Sequence, residues 1–414
     1  PARQFLNAMP RLLLLLPAAG YANPDFIAAA ARLGIELVAC ADYCHRLAPG
    51  WGLPPLMSVP FDQPAVALPQ VLAALTQPVD AVLAVDDHGQ ALAAQLRVAL
   101  NLPGNPPDAV ATLTDKLRFR QLQQAIGLPY PAFGEIGDSG VNTAVAPGFP
   151  LVVKARRLNA SRGVVRVDDA DQLARALKQV QCIQQRAQRE REGLLVEAFI
   201  SGVEVALDGV LCGGALQVLA VFDKPDPLDG PYFEETLFIT PSRLPQATQR
   251  EFADAVARAC AAAGVTEGAV HAEARVNDAG VWLLEIAPRG IGGLCGRVLD
   301  ATLGMNSAEI VLRHAVGLPL PAPANGMAGG VMMIPIPASG ILRGVDGLAA
   351  ARAVPHITGI EITAPTGQLV APPPEGAGYL GFLFSRAATP AQAEAALRSA
   401  HAALAVRIQP LVDA

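Results

Sequence analysis

The stretch HAEARVNDAGVWLLEIAPR, residues 271–289, contains the pattern that decides how this chain is interpreted. Residues 271–275 alternate between polar and apolar side chains, and residues 281–286 are mostly apolar, so each run predicts a β-strand. The Asn-Asp-Ala-Gly sequence between them, residues 277–280, supplies the residues that tight turns prefer. The sequence therefore predicts a β-hairpin, followed directly by a Pro-Arg-Gly segment.

Two glutamates of this hairpin, Glu273 and Glu285, face each other if Asp278, Ala279 and Gly280 form a three-residue loop. In that register their Cβ atoms lie about 5 Å apart on one face of the sheet. Like charges at that distance are destabilising unless a cation lies between them, and carboxylate oxygens are suitable ligands for a hard divalent cation. We therefore expect both acids to bind Mg²⁺ that carries a nucleotide phosphate, with Mn²⁺ as the alternative ion. The competing interpretation is an exposed hairpin whose two acids happen to face each other.

A fixed cation and a flexible backbone follow the second strand of the hairpin. Arg289 comes directly after Pro288, and Gly290, Gly292 and Gly293 are its near neighbours in sequence. Guanidinium groups bind phosphate through paired hydrogen bonds, and glycines allow the backbone to approach a ligand closely. This arrangement favours a phosphate site where the strand ends.

The overall composition excludes several classes of protein. With 414 residues, the chain is too long for one ordinary core, which predicts two or three domains. It is 52% hydrophobic and 16% charged, as is typical of a compact globular protein. Its 31 basic and 37 acidic residues give a net charge of −6 without any basic run, so no nucleic acid partner is expected.

The cysteines and the first apolar run bear on the cellular compartment. The run Leu12–Leu16 is far shorter than the roughly 20 residues that span a bilayer, so no membrane partner is expected. A signal peptide is the competing interpretation, but the strand, loop and helix pattern that continues through residues 20–34 favours a folded domain. The cysteine spacing fits neither a disulfide framework nor a zinc site, which predicts free thiols in a reducing cytoplasm. These cysteines are Cys40, Cys44, Cys182, Cys212, Cys260 and Cys295.

Alternating strands and helices predict the architecture of the first part of the chain. Up to about Pro107, short apolar strands at residues 11–16, 37–41 and 81–85 alternate with helices rich in alanine and leucine. This alternation is the signature of a doubly wound parallel sheet. Asp86 and Asp87 follow the third strand, at the edge where such sheets bind ligands. The simpler interpretation is a strand-to-helix loop in which one of these acids is a helix cap.

Two breaks, at residues 103–108 and 322–326, divide the chain into three predicted domains. The first is an N-terminal α/β domain with a doubly wound parallel sheet, residues 1–108. The second is a nucleotide- and metal-binding core, residues 109–320. The third is a C-terminal α+β domain, residues 321–414. Further elements are predicted as a helix at 116–126, strands at 330–335, 359–364 and 379–385, and a closing helix at 390–405.

A single lysine interrupts the apolar strand predicted at residues 149–155. Burying Lys154 is costly unless the ammonium group is paired or binds an anion. The polar loop that follows includes Ser161, Arg162 and Gly163 and leads to another strand. A strand lysine beside such a loop can hold a triphosphate, although the Walker sequence GxxxxGK[ST] is absent. The alternative is a basic hairpin turn whose lysine reaches solvent.

The stretch LLVEAFISGVEV, residues 194–205, offers groups that suit a nucleoside. An extended backbone can give a purine one hydrogen-bond donor and one acceptor, and a carboxylate can bind the ribose hydroxyls. Glu197 and Glu204 are the two acids of this stretch. The alternative is an ordinary pair of strands with solvent-facing acids.

The order of these features resembles the ATP-grasp superfamily from about residue 110 to residue 320. The features are a helix lysine, a strand lysine with its loop, Glu-Ala-Phe-Ile with Gly-x-Glu, and a strand pair with two acids before Pro-Arg. The first domain resembles the one that usually precedes an ATP-grasp core. Three phrases resemble L-amino acid ligase-like enzymes: EIAPRGIGGLC at 285–295, GVMMIP at 330–335 and GAGYLGFLF at 376–384.

The resemblance implies where ATP binds in the central ATP-grasp core. Lys116 and Lys154 are expected to contact the nucleotide phosphates, and the loop Ser161–Gly163, with Arg162 at its centre, is expected to close over them. Other residues are expected to bind the nucleoside: Glu197 and the Phe199 and Ile200 backbone frame the adenine, and Glu204 holds the ribose.

The resemblance also implies the metal and phosphoryl groups. Glu273 and Glu285 are expected to hold Mg²⁺, and Arg289 is expected to steady the transferred phosphoryl group. Many family members have asparagine where this chain has Ala287, which puts a second Mg²⁺ site in doubt. The loop after Lys154 has only one glycine, so its phosphate-covering role can instead fall to one of its arginines, Arg156, Arg157 or Arg162.

A carboxylate–amine ligase is the function that these expectations favour. A substrate carboxylate would attack the γ-phosphoryl group of ATP, and an amine would attack the acyl phosphate to give an amide, ADP and phosphate. The substrates are expected to be small molecules such as amino acids. Lys224 and Arg297 are candidate contacts to a carboxylate or phosphate, although a salt-bridge role is an equal alternative. His271 either lines the substrate pocket or is an ordinary strand histidine.

Two other functions stay open at this point. One is an ATP-dependent carboxylase-type ligase of intermediary metabolism, and the other is a nucleotide-binding protein without turnover. A homodimer is the default expectation for the assembly.

Overall fold

The computed structural model describes eight segments of the chain: residues 9–18, 20–42, 56–137, 140–141, 148–187, 192–320, 326–376 and 378–411. Cys44, Ala377 and most of the predicted break at 322–326 lie outside these segments.

The first part of the chain forms a four-stranded sheet in the order β3-β2-β1-β4, and every strand pair in it is parallel. Residues Leu12–Leu16 of the inner strand β1 are completely buried, as the continuous apolar run requires for a strand covered on both faces. The doubly wound arrangement is therefore confirmed. Its elements are β1 (Arg11–Leu16), α1 (Asn23–Leu33), β2 (Glu36–Ala41), β3 (Leu56–Ser58), α2 (Pro64–Ala74), β4 (Ala81–Ala84) and α3 (Gln90–Ala99).

Two helices then lead into a five-stranded sheet, whose order is β6-β5-β9-β7-β8 and whose pairs are antiparallel. The amphipathic helix α6 packs its apolar side on this sheet through Ala176, Val180 and Ile183. The elements are α4 (Pro107–Thr114), α5 (Lys116–Ala125), β5 (Phe133–Gly137), β6 (Gly140–Val141), β7 (Leu151–Ala155), β8 (Val164–Val167), α6 (Ala170–Arg186) and β9 (Leu194–Ala198).

The rest of the central region builds most of an eight-stranded sheet, which receives the long helix α7 on one face. Phe252, Val256 and Ala259 of that helix are completely buried against the sheet. The elements of this region are β10 (Val203–Cys212), β11 (Ala215–Lys224), β12 (Leu237–Thr240), α7 (Gln246–Ala263), β13 (Gly268–Asn277), β14 (Gly280–Ala287), α8 (Leu299–Leu303) and α9 (Ser307–Ala315).

The last part of the chain adds three strands to that same sheet, whose full order is β14-β13-β10-β11-β12-β15-β19-β17. A small three-stranded sheet, β18-β16-β20, lies beside it. The sheet thus continues through position 320, where the sequence predicts a domain boundary; the division into three domains stays a prediction. The elements are β15 (Ala328–Ile334), β16 (Gly340–Asp346), α10 (Leu348–Arg352), β17 (Ile357–Ile362), β18 (Leu369–Val370), β19 (Gly381–Ala387), α11 (Pro390–Ala402) and β20 (Ala405–Gln409).

The predicted elements agree with these bounds to within a few residues. The helix predicted at 116–126 ends at Ala125, and the closing helix ends at Ala402 rather than at residue 405. Within the eight described segments, no helix is both long and apolar enough to cross a membrane. The cysteines of those segments are free thiols, and they are Cys40, Cys182, Cys212, Cys260 and Cys295.

Candidate active site

A cavity of about 1030 Å³ lies where the five-stranded sheet, the eight-stranded sheet and the loop after β4 meet. Among the site residues predicted from the sequence, Arg162, Gly163 and Lys224 do not line this cavity. The others do: Lys116, Lys154, Ser161, Glu197, Phe199, Ile200, Glu204, Glu273, Glu285, Arg289 and Arg297. The fold thus brings together residues that are separated by almost two hundred positions in sequence.

The hairpin β13–β14 places Glu273 directly opposite Glu285, as predicted. The three-residue loop, however, is wrong. Asn277 pairs with Gly280, so the loop has two residues, and a β-bulge at Leu284 supplies the additional residue that restores the predicted register. The Asn277 side chain stabilises this tighter turn, because its oxygen accepts the N–H of Ala279 at 3.0 Å.

A chain of hydrogen bonds connects Glu273 to the glycine-rich loop. His271 Nε2 lies 3.5 Å from Glu273 Oε1, and its Nδ1 lies 2.8 Å from Asp208 Oδ1. The second oxygen of Asp208 accepts the backbone N–H of Ile291 at 3.2 Å. Burial lowers the pKa of His271, but the two carboxylates outweigh burial and raise it to about 9. The ring is therefore a cation that holds Glu273, and His271 also lines the cavity.

Lys224 lies under the cavity wall in contact with three carboxylates. Its Nζ atom is 2.6 Å from Glu204 and 3.4 Å from Glu273, and it also donates to Glu235. Oxygens of these three acids lie within 4.8 Å of one another. Arg275 also pairs with Glu204, and His271 contacts Glu273. Burial together with the Glu273 charge raises the pKa of Glu235 to about 7. The predicted salt-bridge alternative thus describes the contacts of Lys224 in this structure.

Lys154 takes part in a buried ion triad with Glu197 and Arg120. Its Nζ atom is 2.6 Å from Glu197 Oε2, and Arg120 Nε is 2.8 Å from Glu197 Oε1. Arg120 is fully buried and also donates to Gln123 and to the Leu284 carbonyl. Burial raises the pKa of Glu197, but the two cations outweigh burial and lower it below the ordinary range. Both oxygens of Glu197 are therefore engaged by cations, which positions Lys154 at the cavity wall.

Lys116 stands at the first position of helix α5, where the Asp115 side chain caps the helix by accepting the Leu117 N–H at 3.0 Å. The Lys116 ammonium donates to the Leu158 carbonyl at 2.6 Å and lies 3.8 Å from Glu285 Oε2. Lys116 thus connects the loop after β7 to Glu285, one of the two predicted metal ligands.

The loop after β7 is held by this same cap residue. Arg156 and Arg157 both pair with Asp115, at 2.6 Å and 3.2 Å, so these two arginines are used in fixing the loop. Ser161 and Gly163 have positive φ angles of 54° and 69°. A Cβ at Gly163 would come within 3.1 Å of Ala155 as well, so glycine fits this position.

The segment after β9 packs between two cations. The guanidinium carbons of Arg166 and Arg275 lie 4.2 Å and 4.9 Å from the centre of the Phe199 ring. Arg275 also donates to the Ile200 carbonyl at 3.0 Å and to Glu204 at 3.3 Å. Glu204, the predicted ribose ligand, is thus engaged by two cations, and the ribose assignment stays a prediction.

The two acids after β4 have different roles. Asp86 is the cap that the simpler interpretation predicts, because its side chain accepts the His88 N–H at 2.9 Å. Asp87 instead lies 2.6 Å from Arg289 Nη2 and accepts from Asn159 at 3.0 Å. Although burial opposes it, the Asp87 charge raises the pKa of Arg289. Arg289 is therefore a permanent cation, and Asp87 in the segment after β4 holds it in place.

Arg297, the third candidate contact to a phosphate or carboxylate, pairs with acids from both ends of the chain. Its guanidinium lies 2.7 Å from Asp25 at the start of α1 and 2.5 Å from Glu361 in β17. These contacts give Arg297 a connecting role, although it also lines the cavity.

Glu273 and Glu285 fit a divalent cation by the chemistry of their donors. Both offer carboxylate oxygens to one cavity, and Lys224 and His271 keep the pKa of Glu273 below its ordinary value against the effect of burial. Ala287 offers no side-chain ligand, as the sequence shows.

Several residues of the site escape sequence reasoning. Arg120 and Glu235 occur in segments without any motif, and Asp208 appears only as an acid in an apolar strand. A buried charge inside a run such as VALDGVL is the one signal that could have identified Asp208. Asp87 could be recognised by its place at the carboxyl end of a parallel strand.

Comparison with known proteins found matches to two domain models and to a solved structure. Residues 147–298 match the model of the ATP-grasp domain, and residues 332–409 match that of the L-amino acid ligase C-terminal domain 2. The predicted resemblance to both is confirmed. The solved L-amino acid ligase from Bacillus licheniformis superposes with a TM-score of 0.80 over 97% of this chain and 99% of that one, at 24% identity. This likeness shows a shared fold.

Two curated relatives match part of the sequence. Carnosine synthase 1 from Gallus gallus is 32% identical over 271 residues, which are 60% of this chain and 29% of that protein. A D-alanine–D-alanine ligase from Pseudomonas putida (strain GB-1) is 31% identical over 185 residues, 43% of this chain and 55% of that protein. The chain thus spans less than two thirds of the length of these relatives.

Proposed function

Because the chain carries an ATP-grasp domain together with an L-amino acid ligase C-terminal domain, we propose that it is an ATP-dependent carboxylate–amine ligase that joins small molecules, with amino acids as substrates. The products are an amide, ADP and phosphate. One observation carries the proposal: two opposed glutamates, two lysines and one arginine converge on a single cavity from two sheets, helix α5 and the loop after β14.

Two cations of the cavity bind the nucleotide, and a third stabilises the transferred phosphoryl group. Lys116 and Lys154 bind the nucleotide phosphates, because both ammonium groups are fixed at the wall, one by the Leu158 carbonyl and one by Glu197. The strand segment around Phe199 and Ile200 borders the adenine. Mg²⁺, held by Glu273 and Glu285, neutralises charge on the phosphate oxygens when it is bound.

The reaction needs no nucleophilic side chain from the protein. A substrate carboxylate oxygen attacks the γ-phosphorus, the bond to the β-phosphate oxygen breaks, and ADP leaves. Arg289 stabilises the charge on the transferred phosphoryl oxygens, since Asp87 keeps the guanidinium in one position. The substrate amine then attacks the acyl carbon, loses a proton, and phosphate leaves. Exclusion of water from the cavity during the reaction would protect the acyl phosphate.

The three relatives support the choice of amino acids as substrates. Their names describe an L-amino acid ligase, a D-alanine–D-alanine ligase and a carnosine synthase.

The test is a screen of phosphate release from ATP over pairs of amino acids and small acids, with Mg²⁺ present. We expect release that needs both a carboxylate and an amine. Glu285→Gln should reduce it by about a thousandfold, because one oxygen ligand and one charge are lost. Glu251→Gln is the matched control, since Glu251 accepts the Val281 N–H on the same hairpin outside the cavity. Release with bicarbonate alone, or no release with any pair, would contradict the proposal.

A further inference from the structure

The cavity does not end at the nucleotide site but continues along the edge strand β4 to a second lobe. We call this region the Arg97 lobe, and it is lined by Asp80, Arg97, Gly104, Asn105, Glu267 and His314. Asp80 directly precedes β4 and Glu267 directly precedes β13, whereas the other residues come from α3, the loop after it and the end of α9. The first domain and the central region therefore share the lobe.

The Arg97 lobe is well separated from the proposed phosphate site. Val82, whose carbonyl holds Arg97, lies inside β4, whereas Asp86 and Asp87 follow the end of that strand. Glu267 directly precedes β13, and from Gly268, the first residue of that strand, to Glu273 the strand rises about 17 Å. Any ligand of the lobe therefore occupies a place different from that of the nucleotide phosphates.

Arg97 brings a positive charge into this lobe without a carboxylate to neutralise it. Its Nε atom donates to the Val82 carbonyl at 3.0 Å, and this is the one hydrogen bond or ion pair that the Arg97 side chain makes within the described segments. A guanidinium has five N–H donors, so four of them stay available. Burial without a compensating acid lowers the pKa of Arg97 to about 10, so the group is still charged at neutral pH.

Gly104 has the backbone conformation that makes room for this arginine. Its φ angle is +152°, and a Cβ atom there would lie 2.3 Å from Cδ of Arg97. The next residue, Asn105, fastens the loop to the central region, because its side chain donates to the Glu267 carbonyl at 2.7 Å and accepts from Thr266 N at 2.9 Å. The fold thus positions the arginine from both sides.

The two acids of the lobe already have partners. An oxygen of Asp80 accepts the backbone N–H of Arg11 at 2.8 Å. Glu267 accepts from the Gly213 N–H at 2.9 Å and lies 3.2 Å from His314 Nε2. Neither carboxylate pairs with Arg97, although both line the same lobe.

We propose that the Arg97 lobe is a second binding site, which takes a small carboxylate or phosphate anion through the free guanidinium N–H groups of Arg97. A guanidinium fork matches both anions through two parallel hydrogen bonds. The alternative is a purely structural role, in which Arg97 only donates to the Val82 carbonyl at the open edge of β4. That role uses one of the five N–H donors, and it does not explain why a cavity adjoins the guanidinium or why no acid pairs with it. None of the six residues of the lobe is among the proposed nucleotide, metal or phosphoryl ligands.

The test measures binding of two probes, inorganic phosphate and succinate, to the full chain by calorimetry with ADP and Mg²⁺ present. Arg289→Met removes the phosphoryl site, so binding that survives this change belongs elsewhere. In the Arg289→Met background, we expect Arg97→Met to weaken the binding of at least one probe by about tenfold or more. Arg97→Lys should weaken it less, since the charge stays. The probe that binds more tightly identifies the class of anion.

A second variant leaves the Arg97 side chain unaltered and changes the glycine beside it. Gly104→Ala displaces the stem of Arg97 and should weaken binding like Arg97→Met, with phosphate release unchanged. Crystals of the unaltered chain soaked with the tighter probe should show it on the Arg97 guanidinium, which covers the case in which the variants fail to fold. Two results would overturn the proposal: probe binding that is lost in Arg289→Met alone, and probe binding that is equally strong in all Arg97 variants. A failure of both phosphate and succinate to bind would also overturn it.

Discussion

Replacing Glu197 by glutamine tests whether the buried ion triad positions the phosphate-binding lysine. The change keeps the shape of the side chain but removes the charge that Arg120 and Lys154 share. Both cations are then buried without a counter-charge, since Arg120 is fully buried and Lys154 is 8% exposed. Removing one partner of a buried ion pair costs about 3–5 kcal/mol, and we expect a loss of this size in the free energy of unfolding.

The assay is urea unfolding at neutral pH together with a titration of ATP. We expect the affinity for ATP to fall as well, because the pKa of Lys154, which burial already lowers, falls further when Glu197 no longer supports it. Glu135→Gln is the matched control. Glu135 also pairs with an arginine, Arg156, but its side chain is 42% exposed, so its loss should cost less than about 1 kcal/mol.

The double variant Glu197→Gln with Lys154→Met removes one of the two orphaned cations. It should recover part of the stability that the single variant loses, without recovering ATP binding. If Glu197→Gln costs no more than Glu135→Gln, the triad does not stabilise the structure, and the reasoning about Lys154 is wrong.

Two further predictions concern the acids after β4. Asp86→Asn should stabilise the protein by up to about 3 kcal/mol at pH 7 and not at pH 4. Burial and Asp87 raise the pKa of Asp86 from 3.8 to about 6, so wild-type stability falls as pH rises through this window, and urea unfolding at both pH values measures the difference. Asp87→Asn should lower kcat for phosphate release about 10- to 100-fold with less effect on KM for ATP, because Arg289 loses the partner that orients it. An unchanged kcat would show that Arg289 needs no such support.

The elements and the opposed glutamates could be predicted because they depend on local pattern. The apolar run of β1 and the turn residues of the β13–β14 hairpin each act over a few neighbours, so their signal is in the sequence. The register of Glu273 and Glu285 was predictable for the same reason, but the bulge at Leu284 that produces it was not, because it depends on packing across strands.

The connections within the site could not be predicted, because they join residues that are distant in sequence. Arg120 reaches Glu197 over 77 positions, and Arg289 reaches Asp87 over 202. The spacing of apolar and polar residues along the sequence does not indicate such long-range contacts. A lone buried charge signals that a partner exists, but it does not identify that partner.

The uninterrupted ladder from β14 to β17 limits how this molecule can open and close. Backbone hydrogen bonds join the hairpin that carries Glu273 to the tail strands, so the tail cannot swing as a separate flap over the cavity without breaking the ladder. The five-stranded sheet with Lys154 shares no strand with it. Movement of the five-stranded sheet relative to the eight-stranded sheet would therefore break no strand pairing.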